Sequence, residues 1–321
     1  MAKREIELRT LKDNVLCSGV GIHSGLPVNM VIRPFDKPGI FFRRVDLDDK
    51  SLIPATYDNV CDTKMRNTTI GKMDGAHVKT IEHLMAALFI AGVDSALVDV
   101  DGAEVPIMNG SASLFYRRIM EAGVTRGKRK KIIVKKPVVV TAREMLRALS
   151  WNERIKGFIL GFFYRRRGLD GFVKLSPSKD KALNIKATLV YPEPIIGKQS
   201  FVYSFDETKW SAENFIRNIA SARTFGKYAE WGYLKAHGMA RGADEKNVIV
   251  LDLGGKKTLN QIYWPDEFVR HKIIDAIGDM FTSGGFIVGN LESYKGSHAL
   301  NNAVLKKLFS NPDNYDIIDA E

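Results

Sequence analysis

Thiols are scarce in this 321-residue chain: Cys17 and Cys61 are its two cysteines, and no C-x-x-C occurs. That argues against a disulfide scaffold and against a thiolate metal cluster. It fits a reducing compartment, so a cytoplasmic location is expected. No run reaches the roughly 18 apolar residues that a membrane span needs. The opening stretch MAKREIELRTLKDN has no apolar h-region, so no signal peptide is expected. Acidic residues are outnumbered, 37 against 48 Lys and Arg, and the net charge of +11 implies an anionic partner. Hydrophobic residues make up 45% and charged ones 26%, which supports a packed core and excludes wholesale disorder. The length suits two domains.

The pattern along the chain is mixed. NVLCSGVGIHSGLPVNMVIRP reads as strand, Gly-rich turn, strand, and GIFFRRVD as a further strand. A helix is expected from Thr80, then the strand SALVDVDG, then a helix ending at Gly123. TRGKRKK, residues 125–131, carries five basic residues in seven. It is read as a solvated basic linker, and the boundary is placed there: an N-terminal α+β domain over 1–127 and a C-terminal one over 128–321. The second half opens with one strand, KIIVKKPVVV. ALNIKATLVY, KQSFVYSF, NVIVLDL and GGFIVGNLES follow as strands. Helices are expected at SAENFIRNIASA, capped by Ser211, at DEFVRHKIIDAIGDMF, capped by Asp266, and at HALNNAVLKKLFS. EHLMAALFIAGVDSALVDVDG and RHKIIDAIGDMFTSGGFIVGNLE share one plan: a histidine near a helix start, an apolar helix, a glycine break and a strand. Two such halves could face each other, each offering a histidine to a shared cleft.

Six histidines are present, and their settings differ. In RHKIIDAIGD, His271 and Asp275 are four apart and share one helix face; Asp279 lies a further turn along. The spacing can present an imidazole and a carboxylate to one metal ion, though a surface His–Asp pair would look the same. In TIEHLMAAL the position one turn after His83 is Ala87, so the familiar two-histidine zinc helix is missing and further ligands must come from elsewhere. Two histidines and one aspartate form a three-ligand zinc set with an open fourth position. Nitrogen and oxygen donors suit Zn²⁺, and Fe²⁺ could substitute. Glu82 adjoins a ligand but points to another side of the helix, the place of a general base. His298 precedes the last helix, where a capping-region role competes with a chemical one. His23 reads as a turn residue, and His77 and His237 as surface residues.

Together, GVGIHSG, TIEHLMAAL, VPIMNGSA, SARTFG, DEFVRHKIIDAIGD and GSHALNN, in that order, resemble the UDP-3-O-acyl-N-acetylglucosamine deacetylase family, zinc amidases of lipid A biosynthesis. The resemblance implies an α+β fold of two similar domains, each a small mixed sheet packed with two helices, with the active site between them. It implies zinc ligands at His83, His271 and Asp275, a general base at Glu82, and at His298 a histidine that protonates the leaving amine or holds the developing charge. It implies that Asp279 keeps that histidine cationic, that Thr224 supplies a hydroxyl to the oxyanion, and that Lys272 adds positive charge. The implied substrate is a UDP-linked acylated amino sugar. Lys295 is the candidate for its diphosphate and Tyr191 for stacking on its uracil. Where the family often has a histidine two residues beyond that aromatic, this chain has Glu193. For the acyl chain the resemblance points to a β-α-β insertion after ARTFG, with Phe225, Trp231, Leu234, Met239, Val248 and Val250. A monomer is expected.

The motifs leave out residues 142–168, an extension between VKKPVVV and GFVKLSPS, which look like the two strands of one hairpin. Seven of its residues are Arg or Lys and two are Glu, a balance of +5, with apolar residues at spacings of three and four. A basic amphipathic segment of this kind can lie on an anionic bilayer; a buried strand or an interface is the competing reading. An RNA-binding module would also be basic, but the basic residues are not interleaved with aromatics in an RNP-like motif, so no nucleic acid is expected. A zinc amidase acting on another N-acetyl sugar is the nearer rival.

Overall fold

The computed structural model describes residues 8–63, 66–148 and 169–318. Two α+β halves follow each other along the chain. In the first, β1 (Val15–Val20) and β2 (Pro27–Arg33) form an antiparallel hairpin across the Gly-rich turn. β3 (Gly39–Arg44) and β4 (Ile53–Pro54) extend the sheet. Three short strands, β5 (Val60–Asp62), β6 (Thr69–Gly71) and β7 (His77–Val78), pair separately. Then come α1 (Glu82–Ala91), β8 (Ser95–Val100) and α2 (Ser113–Ala122). The sheet order is β1-β2-β8-β3-β4. The central strand β8 is buried at each of its positions, whereas β3 alternates.

The second half contains β9 (Lys131–Val134), β10 (Val138–Thr141), α3 (Ala142–Ala148), β11 (Phe172–Ser176), β12 (Leu183–Val190) and β13 (Lys198–Phe205). α4 (Lys209–Asn218), β14 (Phe225–Lys227), α5 (Tyr228–Ala236) and β15 (Ile249–Leu251) follow. The half closes with α6 (Glu267–Phe281), β16 (Phe286–Tyr294), α7 (His298–Phe309) and β17 (Tyr315–Ile318). The order β10-β11-β16-β12-β13 repeats the first sheet. In each half a hairpin comes first, a later strand runs antiparallel to its second member, and that strand pairs in parallel with its other neighbour. The strand at the centre follows α1 in one half and α6 in the other, so the shared plan of the two sequence stretches is a shared topology.

α1 and α6 pack against each other. Gly278 makes this close approach possible, since a Cβ there would lie 1.9 Å from the Glu82 carbonyl oxygen. This contact answers how the polar pair at the start of α1 is housed. Every residue of α1 from Glu82 to Ile90 is buried, so the helix has no solvated side over that span.

Several sequence expectations need correction. KIIVKKPVVV is two strands, β9 and β10, because Pro137 has no N–H for the ladder. The helix expected from Thr80 starts at Glu82; Thr80 itself has φ +60, a strained value for a β-branched residue. The cap of α4 is Thr208, whose hydroxyl accepts from the Ser211 N–H at 3.2 Å; Ser211 is buried in the first turn. Asp266 stands at the α6 N-cap position without a side-chain cap bond and instead accepts from Arg270 Nε at 2.7 Å. His298 is the first residue of α7, behind the cap Ser297. The basic linker is not wholly solvated. Arg129 is 5% exposed, bonded to Asp94 Oδ1 at 2.6 Å and seated 4.5 Å from the centre of the Phe89 ring. Phe281 and Phe286 flank the same guanidinium, which thereby ties α1, α6 and β16 together.

β10 and β11 pair antiparallel, Val138 opposite Leu175 and Thr141 opposite Phe172, as a hairpin would. A reciprocal capping box starts α3: Thr141 Oγ1 accepts from the Glu144 N–H, and the Glu144 carboxylate accepts from the Thr141 N–H at 2.9 Å. The rest of the 142–168 extension, from 149 on, lies outside the described residues. Among the described residues no helix is long and apolar enough to cross a membrane.

Candidate active site

His83 comes from the first turn of α1, and His271 and Asp275 from successive turns of α6. The crossing of the two helices brings them together. One donor atom from each lies within 4.8 Å of the others. His83 Nε2 is 3.5 Å and His271 Nε2 3.3 Å from Asp275 Oδ1. The two imidazoles meet edge to face, with ring centres 4.9 Å apart. All three residues are at most 4% exposed.

This trio fits a metal ion. Asp275 Oδ1 is buried and, among the described residues, has no hydrogen-bond donor, an arrangement costly for an anion unless a cation meets it. His271 hydrogen-bonds the Ala222 carbonyl through Nδ1 at 3.1 Å, which leaves Nε2 as the lone-pair nitrogen facing the trio. Burial pushes the His271 imidazole down to about 3, so at neutral pH it is uncharged, as a ligand must be. Burial would raise Asp275, but the neighbouring His271 and Lys272 outweigh it and hold this carboxyl well below its ordinary range. Lys272 Nζ donates to Asp275 Oδ2 at 2.6 Å.

Beside the trio stand two proton-transfer groups. Glu82 is 3% exposed, and burial raises its carboxyl above the ordinary value. One of its oxygens accepts from the Thr68 N–H at 3.1 Å. The other faces His298 Nε2 at 3.9 Å. His298 is bonded through Nδ1 to Asp279 Oδ2 at 2.8 Å. Burial would lower this imidazole, but Asp279, then Glu82, overcome it and drive it up to about 9. Its Nε2 also lies 3.8 Å from Asp275 Oδ2, so the cation's free face looks toward the metal ligands. Asn301 Nδ2 gives Asp279 Oδ2 a second donor at 2.8 Å.

The other candidates are distributed around this centre. Thr224 is two residues from Ala222, and its backbone is pinned on both sides, N–H to Gly110 O and C=O to Ile249 N–H. Gly110 is needed there, for it has φ +79 and a Cβ would lie 1.8 Å from Asn247 O. Phe225 packs edge-on to Phe268 and Tyr191, with the Lys272 ammonium 5.7 Å from its ring centre. Trp231 joins Ile22, Ala240, Ala243, Val248 and Val250 in a small apolar cluster apart from the main core. β14, α5 and β15 form the expected β-α-β unit, with β14 and β15 parallel. Leu234 and Met239 lie at the end of α5, where the Met239 N–H bonds the Leu234 carbonyl. Lys295 has its ammonium on both oxygens of Asp170 at 2.8 Å, so its charge is met by a carboxylate of the protein. Glu193 is paired with Lys227. His77 and His237 are remote from the trio in their bonding, each hydrogen-bonded to a nearby carbonyl.

Sequence reading missed four supports of this site. Glu104, 1% exposed, accepts from the His23 and Ser24 N–H groups and from the Thr80 hydroxyl, so it holds both the GIHSG turn and the approach to α1. Glu267, fully buried, clamps Arg223 at the start of TFG. Asn301 and Thr68 both bond Asp279. The polar run NTT and the doubled Asn of ALNN were the available signals, because buried polar runs need partners.

Comparison with known proteins agrees with the geometry. The profile of a family described as UDP-3-O-acyl N-acetylglycosamine deacetylase matches residues 8–158 and 162–310, and so includes most of the extension that the motifs leave out. A UDP-3-O-acyl-N-acetylglucosamine deacetylase of Geobacter sp. (strain M21) is 37% identical over 97% of this chain and 92% of its own length. The protein of that name from Sulfurimonas denitrificans is 38% identical over 97% of this chain and 94% of its own. That from Histophilus somni (strain 129Pt) is 34% identical over 98% and 94%. On a match that runs through both halves and both site helices, the chain belongs to the UDP-3-O-acyl N-acetylglycosamine deacetylase family.

Proposed function

We propose that this protein is a zinc-dependent amide hydrolase that removes the N-acetyl group from UDP-3-O-(hydroxyacyl)-N-acetylglucosamine and releases acetate, the committed step of lipid A biosynthesis. One observation carries the metal-dependent chemistry. A buried His83–His271–Asp275 trio, with a carboxylate oxygen that has no donor among the described residues, lies beside a carboxylate and a cationic imidazole. Three nitrogen and oxygen ligands with a fourth position open favour Zn²⁺, with Fe²⁺ the alternative. The ion would supply Lewis acidity to a water and to the amide carbonyl.

The chain's own groups supply the rest. Glu82 accepts a proton from the attacking water; its burial raises its proton affinity and suits it to the task. The water oxygen bonds to the carbonyl carbon, and the charge that develops on the carbonyl oxygen meets the Thr224 hydroxyl and the Lys272 ammonium. His298, cationic because of Asp279, then gives a proton from Nε2 to the amine nitrogen as the C–N bond breaks. Tyr191 stacks on the uracil, Lys295 exchanges the Asp170 carboxylate for the diphosphate, and Phe225, Trp231, Leu234 and Met239 receive the acyl chain. The enzyme acts as a cytoplasmic monomer, and 142–168 docks it on the anionic inner membrane face, a reading that rests on the charge and apolar spacing of that sequence.

The test is acetate release from a defined acylated UDP-N-acetylglucosamine, with the non-acylated sugar as comparison, before and after chelation. Activity lost on chelation and restored by Zn²⁺ is expected. Glu82→Ala should retain the metal and lose about 10²- to 10⁴-fold in kcat. His83→Ala should lose the metal itself. Equal hydrolysis of both sugars would move the assignment to another N-acetyl sugar, and an active Glu82→Ala variant would remove the general base.

A further inference from the structure

Thr68 touches both proton-transfer groups of the site. It lies just before β6 in the stretch NTTIG and is 2% exposed. Its backbone N–H donates to Glu82 Oε2 at 3.1 Å. Its hydroxyl donates to Asp279 Oδ1 at 2.6 Å and lies 3.3 Å from His298 Nδ1. Its carbonyl accepts from the Ile81 N–H at the entry to α1. One residue of the first half thus grips a carboxylate of its own half and one of the other.

The two oxygens of Asp279 have different partners. Oδ2 receives His298 and Asn301. Among the described residues, Oδ1 receives the Thr68 hydroxyl alone. A buried carboxylate oxygen without a donor turns to find one. Turning Asp279 would swing Oδ2 away from His298 Nδ1, and with it the direction of Nε2. The mounting of Thr68 is itself stiff. Asn67 and Thr69 are each 1% exposed, Asn67 Nδ2 donates to Thr80 Oγ1 at 3.0 Å, and Thr80 donates to the buried Glu104 at 2.9 Å.

We propose that Thr68 is a positioning residue that aims the base and the acid together, Glu82 through its N–H and His298 through its hydroxyl on Asp279. The inference rests on the roles given above to Glu82 and His298. It concerns orientation within the assembled site, so it predicts a loss in turnover with substrate and metal binding kept.

Thr68→Val tests it, since valine keeps the branched shape and the backbone N–H and removes only the hydroxyl. The expected result, in the metal-loaded enzyme, is a kcat lower by about 10- to 100-fold, the effect of one hydrogen bond to a charged group, with KM changed less than about twofold. Metal content should match the parent's. Thr68→Ser should recover most of the rate. In an Asp279→Asn background, Thr68→Val should cost less than about twofold more, because the group it acts through is already neutral. A purely structural role would lower the melting temperature and the turnover rate equally in both backgrounds. If valine does not fold, Thr68→Ala carries the same comparison. A Thr68→Val enzyme within twofold of the parent, or an undiminished loss in the Asp279→Asn background, would overturn the proposal while leaving the reaction intact. An inactive parent, or an active Glu82→Ala variant, would sink the reaction assignment and this inference with it.

Discussion

Asp279→Asn changes one charge and almost no volume, and the structure says what should follow. His298 sits at about 9 in the folded protein, against an ordinary value of about 6.5. Burial pulls the other way, so the elevation is owed to the neighbouring carboxylates, Asp279 first and Glu82 second. With asparagine at 279 the burial remains and the chief opposing charge is gone, and the imidazole falls toward or below its ordinary value. A group whose folded value is raised adds stability that is full below the unfolded value and is lost as pH climbs to the folded one. For His298 that window is pH 6.5 to about 9. Roughly 2.5 units at about 1.4 kcal/mol each give about 3 kcal/mol. His271 is shifted down, to about 3, so its contribution grows between there and about 6.5 and is constant across the window. Glu82 is raised too, but it titrates in both proteins and cancels to first order in the comparison. The assay is urea unfolding of the metal-stripped protein at pH 6.5 and pH 9, parent against Asp279→Asn. The parent should lose about 3 kcal/mol more than the variant over that interval. In the metal-loaded enzyme the variant's kcat at neutral pH should fall by about 10²- to 10⁴-fold, the range for a general acid. Equal loss of stability in the two proteins would refute a charged His298 held by Asp279.

Two further outcomes follow from other parts of the molecule. Arg129→Ala leaves Asp94 with a buried carboxylate and empties the space between Phe89, Phe281 and Phe286; it should cost about 3–5 kcal/mol in urea unfolding, and a cost under about 1 kcal/mol would show that Arg129 does not tie the halves together. Replacing 142–168 by a short turn should weaken co-sedimentation with vesicles containing anionic lipid, more at low salt than at high; undiminished binding would remove the membrane-docking role.

Local sequence determined a good deal here. The four-residue spacing of His271 and Asp275 on a helix follows from 3.6 residues per turn, whatever the helix packs against. The common plan of the two helix–strand stretches was legible because each half builds its sheet from its own neighbours in sequence. Motif order then indicated His83 as the third ligand and Glu82 and His298 as base and acid. Tertiary structure alone decided how those groups behave. α1 looked like a helix with a polar entry, and its burial comes from α6, nearly two hundred residues away. The basic run at 125–131 read as solvated, yet three rings from distant segments make a seat for Arg129. Lys295 looked free to meet a phosphate, and the fold gives it Asp170. Thr68 shows in the sequence only as part of the polar run NTT, which does not name its partner; Asp279 lies 211 residues further along the chain. Periodicity and spacing act over a few residues, where the backbone fixes distance. Desolvation and ion pairing act through space, and which charges are brought within reach of one another is settled only when the two halves close on the crossing of α1 and α6.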